Sequence, residues 1–108
     1  MVRKNVVKIL HNLLLQKGID VSKIIIFGSY AKNKTTPDSD IDFIVISKDL
    51  QGKDIFERVK LTCGVHRALV KKIKKPADIM YYSEKEWKNR NSLVVNAARE
   101  EGIIYNWK

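Results

Sequence analysis

Apolar residues recur at helical spacing through the first segment of the chain. Between residues 2 and 17 they fall three or four positions apart, and Gly18 then supplies a stop signal. The apolar positions of this segment are Val2, Val6, Ile9, Leu10, Leu13 and Leu14. The pattern predicts an amphipathic helix that packs one face against a core.

Two short apolar runs follow, and both are typical of strands. Residues 23–27 are β-branched at most positions and predict a buried strand, and residues 40–47 predict a second one. The intervening residues 28–37 are polar and contain turn formers, which indicates a loop with one helical turn near Tyr30 and Ala31.

The second half of the chain predicts two helices and two strands. Residues 54–74 read as one long amphipathic helix, and Pro76 restarts the chain before a strand at residues 77–82. Ser83 and Glu86 form a capping box that opens a helix ending at residue 101, and residues 103–105 predict a terminal strand. The apolar face of the long helix comprises Ile55, Val59, Thr62, His66, Leu69 and Ile73.

This order of elements predicts an α/β fold in a single domain over residues 1–108. The expected architecture is a small mixed sheet of three to four strands flanked by helices. A chain of 108 residues is long enough for one modest core and no more. No apolar run approaches the roughly 20 residues that cross a bilayer, so no membrane partner is expected.

Single residues outside the apolar patterns refine these expectations. Cys63 is the only cysteine, so an internal disulfide is excluded and a reducing compartment, the cytoplasm, is expected. We expect Cys63 to be a small core filler and His11 and His66 to lie at the boundary of the core. Core packing is the expected role of most of the aromatic residues, including Trp87.

The net charge of +9 favours anionic partners, such as nucleotides, nucleic acid or an acidic protein surface. The lysines are spread along the whole chain, however, which is more typical of a solvated surface than of a dedicated groove. No RNA- or DNA-binding motif is recognisable, so a nucleic-acid partner is possible but unsupported.

Asp40 and Asp42 are the first candidates for chemistry. Residues two apart on a strand point to the same face, about 6.6 Å apart along the backbone, while Ile41 and Phe43 point into the core. Two carboxylates so placed repel each other and attract a cation, and Mg²⁺ prefers oxygen ligands. Taken alone, the pair is better explained as turn and strand-cap residues after Pro37.

Gly28 and Ser29 are the second candidates. A glycine after a buried strand lets a phosphate approach the backbone, and the serine hydroxyl and the amides can donate to its oxygens. Alone, this pair reads as a generic strand-to-helix turn. Its combination with Asp40 and Asp42, across a loop of ten residues, favours a phosphate and metal site.

The segment Gly28-Ser29, ten residues, Asp40-Ile41-Asp42 resembles the signature of the DNA-polymerase-β-type nucleotidyltransferase superfamily. The resemblance extends over nearly the whole chain, to the order of elements and the ending, and is greatest to the minimal nucleotidyltransferase (MNT) domains of prokaryotes. It implies a polymerase-β-like fold and a third carboxylate on the neighbouring strand. Asp78 is the candidate, although it also reads as a strand-start residue near solvent.

The resemblance also implies a mechanism. Two Mg²⁺ ions, about 3.5–4 Å apart, would clamp the triphosphate of ATP and the attacking oxygen. Asp40 and Asp42 would bridge the ions, Asp78 would complete the ion nearest the acceptor, and Gly28 and Ser29 would hold the β- and γ-phosphates.

The sequence departs from the family in the loop after Ser29. Related domains often follow Gly-Ser with a small residue, an arginine and a glycine, whereas this chain has Tyr30-Ala31-Lys32-Asn33-Lys34. Lysine lacks the planar fork with which arginine grips phosphate in two places. Asp38, Asp49 and Asp54 are expected to be turn and cap residues.

MNT domains pair with HEPN-type ribonuclease toxins, so the resemblance implies an antitoxin. Such a protein can neutralise its toxin by moving AMP from ATP onto a toxin tyrosine, and a chain without an acceptor domain fits that role. Two alternatives stay open at this point: an antitoxin that acts by binding alone, and an enzyme that adds nucleotides to RNA.

Overall fold

The computed structural model describes residues 3–32, 39–89 and 92–107. Their helices are α1 Arg3–Gln16, α2 Ile55–Leu61, α3 Val65–Ile73, α4 Glu84–Asn89 and α5 Leu93–Glu101. Their strands are β1 Val21–Phe27, β2 Ile41–Ser47, β3 Ala77–Tyr82 and β4 Ile103–Asn106. Single 3₁₀ turns span Gly28–Tyr30 and Lys48–Leu50. None of the helices in these ranges combines the length and apolarity that crossing a bilayer requires.

The strands form one mixed sheet in the order β3-β2-β1-β4. β1 pairs antiparallel with both β2 and β4, whereas β2 and β3 run parallel. The two central strands are the isoleucine-rich runs, because a strand covered on both faces needs apolar residues at successive positions. The predicted mixed sheet of three to four strands is confirmed.

Helices cover both faces of the sheet. Ile24 and Ile26 of β1 pack with α1 and α3 on one face, while Ile25 packs with Trp87 of α4 and Val95 of α5 on the other. Successive side chains of a strand point to opposite faces, so one run of isoleucines serves two cores. The result is a three-layer domain with the sheet in the middle.

The prediction of one long helix over residues 54–74 is wrong. The chain breaks into α2 and α3, and Gly64 adopts a left-handed φ of +84° immediately before α3. The second helix is thereby rotated relative to the first, and it buries Val65 together with two of the predicted residues, Leu69 and Ile73. On α2, Ile55 is 71% exposed and Val59 is 61% exposed, so the predicted apolar face does not continue there.

The same break corrects two single-residue predictions. Cys63 lies in the turn and is exposed, so it is not a core filler. His66 is exposed instead of lying at the core boundary, and its Nε2 lies 2.6 Å from the backbone oxygen of Ala77. His11 is half-buried and stacks on Trp107 at 4.2 Å between ring centroids.

Capping groups account for the helix starts in the second half of the chain. The Ser83 and Glu86 box is confirmed, with both backbone amides bonded to the opposite side chain. The helix it opens does not reach residue 101, because Ser92 is extended and accepts a hydrogen bond from the amide of Val95 to start α5. Serine competes with the helical backbone for hydrogen bonds and therefore favours such starts.

Two of the three aspartates expected at turns and caps have that role. Asp54 caps α2 in a second capping box with Glu57. Asp49 accepts a hydrogen bond of 2.7 Å from the backbone amide of Asp20. Asp38 lies outside the described residues.

Candidate active site

Gly28 lies where β1 ends, and its geometry explains why no other residue fits there. Its φ is +73°, a left-handed value that residues with a Cβ rarely adopt. A Cβ added to it would lie 2.6 Å from Oδ2 of Asp42, well inside van der Waals contact. The turn that contains Gly28 and Ser29 therefore lies directly against the Asp42 carboxylate.

The register of the sheet brings the predicted residues to one edge. Asp42 is opposite Phe27 of β1, and on its other side it is the register partner of Asp78 in β3. Neighbouring strands are about 4.8 Å apart, so the two aspartates are adjacent across the parallel pair. Asp40 immediately precedes β2 and is exposed. All five predicted site residues thus lie where β1 ends and where β2 and β3 begin.

The electrostatics of the site confirm that the carboxylates act on one another. Burial raises the pKa of Asp42, and the negative charges of Asp78 and then Asp40 raise it further. Asp78 itself is exposed, so it is not a charge stranded among apolar residues. Asp78 is a candidate site residue because of its position beside Asp42.

The donor set fits a hard divalent cation that arrives with a substrate. Among the residues that the structure describes, no three acidic, histidine or cysteine side chains are arranged as a ready metal site. The nearby donors are all carboxylate oxygens, and Mg²⁺ is commonly bound by one or two carboxylates together with substrate phosphates. A cation would also stabilise the ionised form of Asp42, whose pKa is raised first by burial and then by repulsion from Asp78 and Asp40.

The turn after Ser29 is anchored at two points. The Nε of Arg3 in α1 donates a 2.7 Å hydrogen bond to the backbone oxygen of Tyr30. Lys32 forms a 2.8 Å ion pair with Glu101 of α5, with both side chains about half exposed. The loop lysine Lys32 is therefore held in a surface ion pair, and Lys34 lies outside the described residues.

A hollow beside the carboxylates was missed by sequence reasoning. It has a volume of about 500 Å³, and its lining includes Asp40, Asp78, Val70, Lys74 and Lys75. The hollow exists only because the end of α3 packs beside the start of β3, which residue spacing does not reveal. The sequence signal that was available is the pair of lysines just before Pro76 and Asp78.

A second hollow, of about 530 Å³, lies between α2 and the end of β3. Its wall is organised by Arg58, which donates to the backbone oxygens of Leu50, Lys53 and Tyr81 and pairs with Glu86 at 2.8 Å. Burial raises the pKa of Tyr81 to about 12, so its phenol stays protonated. Arg58 is thus bonded to other groups of the protein, and these contacts hold α2 against the end of β3.

Solved structures share this fold. A chain from a toxin–antitoxin complex crystallised with AMP-PNP aligns with 95% of this chain and 72% of its own length, at 18% identity and a TM-score of 0.66. A chain from a tri-AMPylated HEPN toxin in complex with an MNT antitoxin, from Shewanella oneidensis, aligns over 95% and 71%, at 16% identity and a TM-score of 0.60. A protein assigned as a minimal nucleotidyltransferase aligns over 94% and 89%, at 22% identity and a TM-score of 0.56.

Comparison of the sequence itself gives the family. Among functionally curated proteins, none matches this chain. The family model described as nucleotidyltransferase domain, however, matches residues 4–105, which include every strand and helix of the site. With the polymerase-β-like fold of its structural neighbours, this match establishes that the chain belongs to the nucleotidyltransferase domain family.

Proposed function

We propose that this domain transfers AMP from ATP to a tyrosine hydroxyl of a HEPN-type ribonuclease toxin and so acts as its antitoxin. The observation that carries the proposal is the contact of the Gly28 turn with Asp42, which has Asp78 as its neighbour on the other side. This arrangement provides a phosphate cradle and a set of carboxylates at one edge of the sheet, the two parts that nucleotidyl transfer requires.

Each part of the site has a role in that reaction. Asp40, Asp42 and Asp78 would hold Mg²⁺, which when bound supplies positive charge to the triphosphate and to the attacking oxygen. The backbone of Gly28 and the hydroxyl of Ser29 would orient the β- and γ-phosphates. The acceptor oxygen gives up its proton to solvent and forms a bond to the α-phosphorus. The bond between the α-phosphorus and the oxygen that bridges it to the β-phosphate breaks, and pyrophosphate leaves with the bonding pair.

Similar solved structures support the proposed partner. Two similar structures are complexes with a toxin, one with AMP-PNP and the other with a toxin that already carries AMP groups. We propose the cytoplasm as the location, since Cys63 is a free, exposed thiol.

The direct test is transfer of α-³²P-labelled AMP from ATP to the partner. The double substitution Asp40→Asn with Asp42→Asn should abolish labelling and preserve the fold. The matched control is Asp54→Asn, the same chemical change at a helix cap away from the site, and it should label normally. Unchanged labelling by the double variant would show that this site is not catalytic.

Two further measurements separate the proposal from its alternatives. A neighbouring gene for a short helical protein with an Arg-x₄-His motif would identify the partner. If the double variant neutralised that toxin as well as the unaltered protein does, binding alone would be the function. Incubation with RNA and ATP tests nucleotide tailing, which the proposal expects to be absent.

A further inference from the structure

The helices α1 and α3 pack together on one face of the sheet, and this layer carries the whole excess positive charge of the chain. Residues 3–19 contain four basic residues and residues 61–77 contain five, whereas neither segment contains an acidic one. The chain has 21 basic and 12 acidic residues, so outside these two segments 12 basic and 12 acidic residues remain and their charges cancel. The net charge of +9 is therefore a property of one layer.

The fold creates this clustering. The two helices are far apart in the sequence, and both bury their apolar faces in the same core cluster, which contains Leu10 of α1 and Val65 of α3. Their polar faces point to solvent. Lys4 and Lys8 lie one helical turn apart on α1, as do Arg67 and Lys71 on α3, so each helix presents a row of cations along its axis.

The two rows are connected at one end of the layer. A hollow of about 300 Å³ lies between the end of α1 and the start of α3, and its lining includes Gln16, Lys17 and Gly64. A Cβ added to Gly64 would lie 4.0 Å from the Nζ of Lys17. The ammonium group of Lys17 therefore reaches from α1 to the start of α3 and joins the charges of the two helices.

The protein itself does not neutralise these charges. Asp20, the first acidic residue after α1, is paired with Lys48 at 3.3 Å. Six cations of the layer are exposed, and none of the six forms an ion pair with a residue that the structure describes: Lys4, Lys8, Lys17, Arg67, Lys71 and Lys72. A surface of one sign of charge attracts ligands of the opposite sign, and here it is prepared for an extended anion.

The other properties of the layer identify the kind of anion. Among the described residues of α1 and α3, Leu15 is the one large apolar side chain that is exposed, whereas protein interfaces have an apolar centre and membrane-surface helices an apolar face. Neither helix contains phenylalanine, tyrosine or tryptophan, the residues on which unpaired bases stack. The layer is thus suited to a chain of phosphates and not to the bases attached to it.

We propose that the layer of α1 and α3 binds the phosphate backbone of RNA, independently of base sequence. This is a binding function beyond the proposed nucleotidyl transfer, on a surface that holds no carboxylate and needs no metal ion. The choice of RNA over DNA rests on the proposed function, because the proposed partner is a ribonuclease. The binding of a phosphate backbone by this layer does not rest on it.

The first test is the fluorescence anisotropy of a labelled, single-stranded RNA of mixed sequence, titrated with the full chain in EDTA. With about four to six phosphate contacts, the slope of log K against log salt concentration should be about −3 to −4. The Kd should then rise roughly 50- to 300-fold between 50 and 200 mM KCl. A second RNA of unrelated sequence should bind with an affinity within about threefold of the first, since no base is read.

The second test removes one charge from each helix. Lys8→Gln combined with Lys71→Gln should weaken RNA binding roughly ten- to thirtyfold at 100 mM salt and reduce the salt slope by about 1–2. The matched control is Lys85→Gln combined with Lys88→Gln, which removes the same charge from exposed positions of α4 on the other face of the sheet. The control should bind RNA within about twofold of the unaltered protein, and all variants should keep its Tm within about 3 °C because exposed lysine and glutamine have similar helix propensities.

Several results would overturn the proposal. Equal weakening by the two double variants would show that net charge alone attracts RNA, and binding that requires Mg²⁺ would assign the RNA to the carboxylate site. A DNA of the same sequence that binds more tightly would exclude the choice of RNA. An acidic peptide or phosphatidylserine vesicles that bind more tightly than RNA would assign the layer to a protein or a membrane. Failure of AMP transfer would leave RNA binding intact, because the two assays use different parts of the molecule.

Discussion

Asp42→Asn is expected to stabilise the metal-free protein, although it removes a central residue of the proposed site. The folded-state pKa of Asp42 is raised by burial, by Asp78 and by Asp40. The native protein therefore binds this proton more tightly than the unfolded chain does. Stability is lost as the pH rises from the unfolded pKa, about 3.9, through the raised folded pKa, and at neutral pH the whole penalty is present.

The size of the gain follows from the geometry. Like charges directly opposite on neighbouring strands cost up to about 1 kcal/mol, and here Asp78 is such a partner, with Asp40 nearby. Asp42 is only half-buried, so solvent screens part of this repulsion. We expect a gain of about 0.5–1 kcal/mol, which corresponds to a rise in Tm of about 2–5 °C for a domain of this size.

The assay is thermal unfolding followed by circular dichroism, in EDTA and low salt. The gain should shrink as the pH falls through the raised pKa of Asp42, because its protonated carboxyl no longer carries the buried charge, and it should also shrink at high salt, where the repulsion is screened. Asp54→Asn is the control, because asparagine and aspartate cap helices about equally well and its Tm should hardly change. A variant that melts at or below the temperature of the unaltered protein would refute the repulsion argument.

Ligand addition should reverse the order of stabilities. Mg²⁺ with AMP-PNP stabilises whichever protein binds it, by an amount that grows with the ratio of ligand concentration to Kd. The unaltered protein should gain several degrees and Asp42→Asn much less. Equal gains in both would show that Asp42 does not take part in binding.

Three further predictions concern the turn after β1, the ion pair of Lys32, and the packing of α2 against the end of β3. Gly28→Ala should lower the free energy of unfolding by about 1–2 kcal/mol through backbone strain, and its new Cβ should also displace the Asp42 carboxylate and abolish transfer. Gly52→Ala is the control: Gly52 has the same φ of +73°, but a Cβ there would meet no atom within 4 Å, so only the strain should appear. Equal losses of activity in the two variants would contradict this. Lys32→Met should weaken ATP binding measured by calorimetry. Glu101→Gln should tighten ATP binding up to about fivefold, because it removes the surface ion pair that competes for Lys32. No change in either variant would exclude a role of Lys32 in phosphate binding. Arg58→Met should lower Tm by about 12–15 °C, because three carbonyl oxygens each lose a donor worth about 1 kcal/mol. A drop of only a degree or two would show that water replaces the lost donor.

The strands and the candidate site residues could be predicted from the sequence because their signals are local. A run of three isoleucines strongly favours a buried strand. A glycine and a serine after one strand, with Asp-x-Asp at the start of the next, limit the candidate chemistry to few possibilities. The third strand, with Asp78 as its second residue, was also predicted with its bounds. The parallel register that makes Asp78 the neighbour of Asp42 could not be derived from local patterns, because it depends on how the connecting helices pack.

The helices of the second half show where local pattern fails. Residues 54–74 have helical periodicity throughout, yet Gly64 takes a left-handed conformation and redirects the chain, so Ile55 and Val59 become exposed. Periodicity records which residues are apolar, but the direction of each helix is decided by what it packs against. The sequence by itself therefore determined the strands and the family signature, and only the tertiary structure decided which carboxylates meet and that a hollow opens beside them.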